Sequence, residues 1–430
     1  MLVGTLMFLA LFVLLLSGMP IAGALGLVGL VSLFLCDPNL INAVPFVVWN
    51  NSISFVLVAC PLFVMMGNIM LDSGISARFY QAISLWVRNI PGGLLQTNIF
   101  ACGIFSAVSG SSVATAATMG TLAIPQQLKM NYNKELIYGS LAAGGTLGIL
   151  IPPSISMIIY CSLTLESVAD LFMAGVIPGI LMVALFVGYI MIRSIINPSI
   201  APQVKDVHVS MKERLLSLVD LVPTMTIILF ILLAIYLGWA TPNEIAAVGV
   251  ALSVFFAVLY RGFSIQKLMK SLSETAYLTG MLLFVIISAQ IFTYALFSWG
   301  ATVEISTAVA NLPLSPMVIW FVLAVMYIFL GMFMDAISMM VLTLAVVHPI
   351  IVSLGLDPVW FGVVLVLLLE IGLITPPVGL NLYTIQAVAD GSSFSEIVKG
   401  SFPFVLLLLL GVIILTIFPQ LALWLPQMIS

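Results

Sequence analysis

An apolar run that ends in a Pro-Pro pair occurs twice in this chain, and the duplication limits the folds open to it. Gly148-Ile149-Leu150-Ile151-Pro152-Pro153-Ser154 returns 224 positions later as Gly372-Leu373-Ile374-Thr375-Pro376-Pro377-Val378. Adjacent prolines cannot continue a helix, because two N–H donors are missing and both rings crowd the preceding turn. Each run must be two helix pieces joined by an open break. Composition says where the breaks lie: 63% of the 430 residues are hydrophobic and only 7% are charged, against about 25% charged in a soluble domain. The chain reads as an all-α polytopic membrane protein, in which backbone groups freed at a break find no water.

The net charge of -4 indicates no partner, and nothing resembles the basic patch of a nucleic-acid binder. Cys36, Cys60, Cys102 and Cys161 sit in or beside apolar runs without a CxxC spacing, so they read as small packing residues. The start, apolar from Met1 to Leu35, has no basic n-region and reads as a retained first helix rather than a signal peptide.

Helix-length apolar segments fall at about 4–35, 47–71, 136–163, 171–196, 217–239, 244–260, 275–297, 359–388 and 402–424. Two more, about 93–128 and 315–352, are interrupted near their middles by Ser109-Gly110-Ser111-Ser112 and by Gly331-Met332-Phe333-Met334-Asp335. Both read as re-entrant hairpins of two half-helices that enter and leave on one side. The basic residues support that reading. If the first hairpin opens to the cytoplasm and the second to the outside, all 12 Lys and Arg are cytoplasmic: Arg78, Arg88, Lys129, Lys134, Arg193, Lys205, Lys212, Arg214, Arg261, Lys267, Lys270 and Lys399. The external connections, about 36–46, 164–170, 240–243, 298–314 and 353–358, then hold none, as the positive-inside rule expects. The N-terminus is expected in the cytoplasm and the C-terminus in the periplasm.

The match between the halves extends beyond the breaks. Pro125 pairs with Pro349, read as the closing proline of each hairpin, and Gly175 and Pro178 pair with Gly400 and Pro403 after a one-residue slip. A polar linker at 197–216 separates a first repeat, 1–196, from a second, 217–430. Opposite hairpin orientations make the repeats inverted. Inverted repeats with paired discontinuous helices are a transporter architecture whose site lies near the bilayer midplane.

The tips and breaks carry the chemistry. Half-helix N-termini favour an anion, and half-helix C-termini and unwound carbonyls favour Na⁺. The tip Ser109-Gly110-Ser111-Ser112 is expected to face the break from Gly148 to Pro152 and to give a small cation an all-oxygen shell. In the second half, Asp335 aligns with Ser111 and Thr375 with Ile151. An intramembrane Asp is a functional candidate, for a cation or a substrate hydrogen bond, and can also cap the following half-helix. Glu370, two residues before Gly372, faces either Asp335 or a water-filled gap, or makes a structural hydrogen bond. Ser154 and Ser156 either bond a substrate carboxylate or only cap. His348 reads as interfacial and His208 as a solvated linker residue. HExxH, GxSxG and GxxxxGK[ST] patterns are absent, so no zincin, hydrolase or ATPase signature is present and the chain does not read as an enzyme.

At Ser109 to Ala117, Gly139 to Ile155, Gly331 to Asp335 and Thr375 to Gly379 the sequence resembles the large membrane subunit of tripartite ATP-independent periplasmic (TRAP) transporters, the M or DctM-like family. The resemblance covers essentially the whole chain. It implies an elevator-type fold of the ion-transporter superfamily, Na⁺-coupled import of an organic acid, and no ATP or transition metal. It also implies a small four-helix (Q-type) membrane partner, not fused here, a periplasmic (P-type) binding protein, and the bacterial or archaeal inner membrane.

Carried over by position, Ser109, Ser111, Ser112, Gly148 and Pro152 form a first Na⁺ site and Met334, Asp335, Gly372 and Thr375 a second. Ser111, Ser154, Ser156 and Asp335 contact the substrate. Many C4-dicarboxylate members carry an Asp soon after the first tip, where this chain reads Val113-Ala114-Thr115-Ala116. The resemblance therefore does not extend to that substrate in particular. The alternatives are a carrier that is proton-coupled through Asp335 and Glu370 or independent of ions, and an ion channel.

Overall fold

The computed structural model describes residues 2–202 and 210–428, all of whose regular structure is helical. Lys205 and His208 of the linker lie outside the described residues. Helices are what an apolar chain must form where no water can satisfy its backbone, and among the described residues eight helical stretches are long and apolar enough to cross a membrane.

The first half comprises α1 (Leu2–Leu16), α2 (Ile21–Cys36), α3 (Val44–Ser52), α4 (Phe55–Asp72), α5 (Ile75–Val87), α6 (Leu94–Ser109), α7 (Ser112–Lys129), α8 (Lys134–Leu150), α9 (Ile155–Thr164) and α10 (Val168–Ile196). The second comprises α11 (Met211–Tyr236), α12 (Pro242–Leu259), α13 (Ile265–Ser298), α14 (Ala301–Ala310), α15 (Pro316–Gly331), α16 (Ala336–Ser353), α17 (Pro358–Leu373), α18 (Leu380–Val388), α19 (Phe394–Ile417) and α20 (Gln420–Gln427). Both interrupted segments are helix pairs, α6–α7 and α15–α16, and both Pro-Pro runs are breaks, α8–α9 and α17–α18. The starts of α7 and α16 are separated by the same interval as those of α8 and α17.

Several boundaries differ from the sequence expectation. The 4–35 segment is two helices, divided where Gly18 takes φ +85 and Pro20 precedes α2. The 47–71 segment divides at Ile53 and Ser54. There Asn51 and Ser52 turn their side chains back onto the Val47 and Val48 carbonyls, a local alternative that weakens helix continuation. The 402–424 segment ends at Ile417 before Pro419, and α13 starts ten residues earlier than expected. Pro125 and Pro349 do not close their helices. Each lies inside an 18-residue helix, α7 or α16, which continues four residues further.

The centre of the protein is α8 and α17, buried on every side from Leu136 to Leu150 and from Trp360 to Leu373. A helix apolar all round belongs in such a place. Glycine lets α8 meet α19 backbone to backbone: a Cβ on Gly139 would come within 2.0 Å of the Gly400 carbonyl oxygen. Below the first pair, Gln127 donates to Tyr80, Asn98 and the Leu94 carbonyl, and Asn98 donates to Ser140. This network ties α5 through α8 without leaving its amides unpaired.

Polar contacts gather in two further places. Lys270 lies 2.9 Å from Asp72, Arg78 lies 3.9 Å from Asp220, and the Arg78 guanidinium stands over the Tyr260 ring. Elsewhere, His348 lies 3.7 Å from Glu166, and the Tyr160 hydroxyl donates to the Pro358 carbonyl at 2.6 Å. Glu166 sits in the loop after α9. Burial, then Asp357 and Asp170, push its carboxyl above the ordinary carboxylate range.

Candidate functional site

A cavity of about 220 Å³ lies where both tips and both breaks converge, room for roughly seven waters or one small organic molecule. Four helix N-termini border it: α7 through Ser112 to Ala114, α16 through Ala336 and Ile337, α9 through Ile155 and Ser156, and α18 through Leu380. Three helix C-termini border it too, α6 at Ser109, α8 at Ile149 and α17 at Leu373. The remaining wall is Val64 to Leu71 of α4 and Leu278 to Leu282 of α13. Among the described residues lining it, Asp335 is the one ionisable side chain, and no Lys, Arg or His is present.

The sequence dictates this geometry locally. Ser111 and Asp335 are N-caps at matching positions. Ser111 accepts from the Ala114 N–H at 3.4 Å, and Asp335 from the Ile337 and Ser338 N–H groups at 3.1 Å each. Such caps start a new helix directly after a turn. Gly110 supplies the turn at the first tip with φ +59, a conformation that costs other residues.

At the first tip, Ser109 Oγ lies 2.6 Å from Thr115 Oγ1 and 3.3 Å from the Ser111 carbonyl. Gly148 brings α8 against this turn, since a Cβ there would stand 3.3 Å from the Ser111 carbonyl carbon. Pro152 does not line the cavity. Asn381, from the second break, reaches across: its Nδ2 donates to Ser112 Oγ at 2.6 Å and to the Ala142 carbonyl at 3.1 Å. Its Oδ1 is buried without a hydrogen-bond partner among the described residues.

At the second tip the backbones themselves touch. A Cβ on Gly372 would come within 2.5 Å of Gly331 Cα, and the Val378 N–H donates to the Met332 carbonyl at 3.1 Å. Met334 precedes Asp335 within the turn, its N–H on the Leu330 carbonyl. The Thr375 hydroxyl donates to the Ile371 carbonyl.

The structure thus brings Ser109, Ser111, Ser112, Ser156 and Asp335 onto one cavity, whereas Gly148, Met334, Gly372 and Thr375 are not among its lining residues. Ser154 stands apart. Its hydroxyl donates to the Ile149 carbonyl at 2.6 Å and accepts from the Met157 N–H, so it staples the first break from a fully buried position. Glu370 does not line the cavity. It is fully buried with the Thr146 hydroxyl of α8 beside it, yet neither carboxylate oxygen reaches hydrogen-bond geometry. Sequence reading missed Thr115, Asn381 and Asn68. Asn68 lines the cavity from α4 with its Nδ2 unpaired. The signal for all three was a polar residue inside an apolar helix.

No group of three or more His, Cys, Asp or Glu side chains able to hold a metal occurs among the described residues. The donors at both tips are hydroxyl, carbonyl, amide and one carboxylate oxygen, a set that fits a hard cation and not a soft one. The orphaned Asn381 oxygen fits the same class of ligand. Ser109, Ser111, Ser112 and Gly148 would hold such an ion at the first tip, and Met334, Asp335, Gly372 and Thr375 at the second. The ion would supply positive charge beside a bound anion.

Comparisons with known proteins agree on the family. Residues 8–421 match the model of the tripartite ATP-independent periplasmic transporter, DctM component. The chain is 35% identical over 407 residues to the C4-dicarboxylate TRAP transporter large permease protein DctM of Pseudomonas aeruginosa, covering 94% of each chain. It is 30% identical over 419 residues to the sialic acid TRAP transporter large permease protein SiaM of Vibrio cholerae, covering 96% of each. Among solved structures, the Alcanivorax borkumensis YdaH transporter superposes with a TM-score of 0.64 at 15% identity, covering 90% of this chain and 88% of that one, a likeness of fold. The chain belongs to the tripartite ATP-independent periplasmic transporter family and is a large permease subunit of the DctM type.

Proposed function

We propose that this subunit imports an organic acid with Na⁺ by an elevator movement. The observation that carries the reading is the convergence of four helix N-termini and three C-termini on one small cavity. N-terminal N–H groups suit the substrate's carboxylate, and C-terminal carbonyls suit Na⁺ on either side of it. Two Na⁺ would neutralise a substrate that hydrocarbon rejects. Each net positive charge carried inward gains about 2.3 kcal/mol per 100 mV.

The two halves are inverted repeats with re-entrant pairs opening to opposite sides. Two observations support this. The polar contacts around Asp72, Arg78, Asp220 and Lys270 unite helix ends assigned to the cytoplasmic side, and those around Glu166, His348 and Pro358 unite helix ends and a loop assigned to the outside. The moving unit comprises both pairs and both breaks, and α4 and α13 form the wall it slides against. A Q-type membrane subunit and a P-type periplasmic binding protein complete the system in the bacterial inner membrane. The substrate class is carboxylate or sulfonate. Relatives named for C4-dicarboxylates and for sialic acid match at similar identity, and the uncharged Val113 to Ala116 stretch gives no reason to prefer the dicarboxylate.

Uptake into vesicles holding all three components tests the reading. An inward Na⁺ gradient is expected to drive saturable accumulation that depends on the binding protein. Accumulation that persists without Na⁺ and follows a pH gradient would overturn it in favour of proton coupling through Asp335 and Glu370. Unsaturable flux without accumulation would point to a channel.

A further inference from the structure

Asn381 is the second residue of α18 and is wholly enclosed. The Ala142 carbonyl 3.1 Å from its Nδ2 can only accept a hydrogen bond, so that contact decides which way the amide faces. The nitrogen is satisfied by Ala142 and Ser112. The oxygen is left buried with no donor, a condition that costs about 1–3 kcal/mol unless a positive group completes it. Its amide meets the first tip at Ser112 Oγ, and on the same tip Ser109 Oγ lies against Thr115 Oγ1 and the Ser111 carbonyl. All of these are uncharged oxygens, and no basic side chain lines the adjoining cavity.

We propose that Asn381 Oδ1 is a ligand of the monovalent cation at the first tip. The second broken helix then completes a site otherwise built from the first half. The proposal rests on the Na⁺ reading above and adds to it a residue that no match to the tip motifs reaches. It also gives a route for coupling. Leu380, the neighbour of Asn381, lines the substrate cavity, so an ion that draws Asn381 onto the first tip sets the position of the α18 N-terminus that meets the substrate. By linkage, substrate must then tighten the ion by the same factor.

The test is the melting temperature of the full-length chain in detergent as Na⁺ replaces choline at constant ionic strength. Wild type is expected to gain stability with Na⁺. Asn381→Ala should need about tenfold more Na⁺ for the same gain. Asn381→Asp keeps an oxygen and adds negative charge, so it should need no more Na⁺ than wild type. A purely structural amide predicts otherwise: both variants melt lower and neither changes the Na⁺ dependence, and that result overturns the proposal. Equal weakening in both variants overturns it too. Should Asn381→Ala fail to fold, Asn381→Ser serves the same comparison. A wild type that ignores Na⁺ would sink the Na⁺ reading itself, whereas a responsive wild type matched by Asn381→Ala sinks only the ligand assignment.

Discussion

The two tips occupy matching positions and are built on different chemistry. The first is a cluster of neutral oxygens sealed by a side chain from the other half, Asn381 on Ser112. The second is a carboxylate, Asp335, on a turn whose backbone lies directly against Gly372. A neutral cage offers a cation geometry, and removing one oxygen lowers affinity by degrees. A carboxylate offers charge, and charge beside a low-dielectric wall acts over longer distances. On the proposed function, the second tip would couple ion and substrate electrostatically and the first through packing.

Four substitutions test that contrast. Gly372→Ala should have the largest effect. Its methyl would meet Gly331 backbone at 2.5 Å, and overpacking of this kind costs about 1–3 kcal/mol, equivalent to roughly five- to 150-fold in an equilibrium constant. Gly148→Ala faces contacts of 3.0 Å and beyond and should lose less; equal losses in Na⁺-dependent uptake would break the comparison.

Next comes charge against hydroxyl. Asp335→Asn keeps a capping oxygen but removes the charge, and should raise the Na⁺ needed for half-maximal uptake about tenfold. Ser111→Ala loses its cap, worth about 1 kcal/mol, and should raise it only about fivefold. Membrane insertion, followed by yield and size-exclusion profile, should be unchanged in both. An Asp335→Asn protein with wild-type Na⁺ dependence would remove the electrostatic role.

The smallest effect is at the Glu166 cluster, away from both tips. A carboxyl whose folded range is raised contributes its full stability below its unfolded range and loses it as pH climbs through the folded one. Glu166→Gln mimics the protonated form. Its melting temperature relative to wild type should therefore rise between about pH 4.5 and neutrality. A difference independent of pH would show that burial and the neighbouring Asp357 and Asp170 do not raise the Glu166 carboxyl.

The large elements were readable because they rest on local chemistry. Pro-Pro must break a helix, and a small or polar insertion in an apolar run must turn one, so both breaks and both pairs could be placed to within a few residues. The short helices were invisible for the complementary reason. α5, α14 and α20 have 13, 10 and 8 residues, too few to register as membrane spans. The split at Ser17 to Pro20 was overlooked because glycine and proline are frequent in membrane helices and do not always break them. Within the site, Ser111 and Asp335 were legible from their alignment. Asn381 was not, because its meaning depends on a partner 269 positions away. Ser154 shows the reverse case: its place after the first break allowed a ligand or a cap, and it is the cap, accepting from the Met157 N–H and donating to the Ile149 carbonyl.

The glycine contact between α8 and α19 bears on how the protein is made. A Cβ on Gly139 or on Gly400 would come within about 2 Å of the other helix's backbone oxygen, so this seam has no side chain that could stand in for the missing neighbour. Gly139 is synthesised long before Gly400. Until α19 is made, α8 lacks the neighbour that its glycine face is shaped to meet. The polar stretch between the halves divides them in order of translation only. The late half threads into the early one, and each is the other's scaffold for assembly.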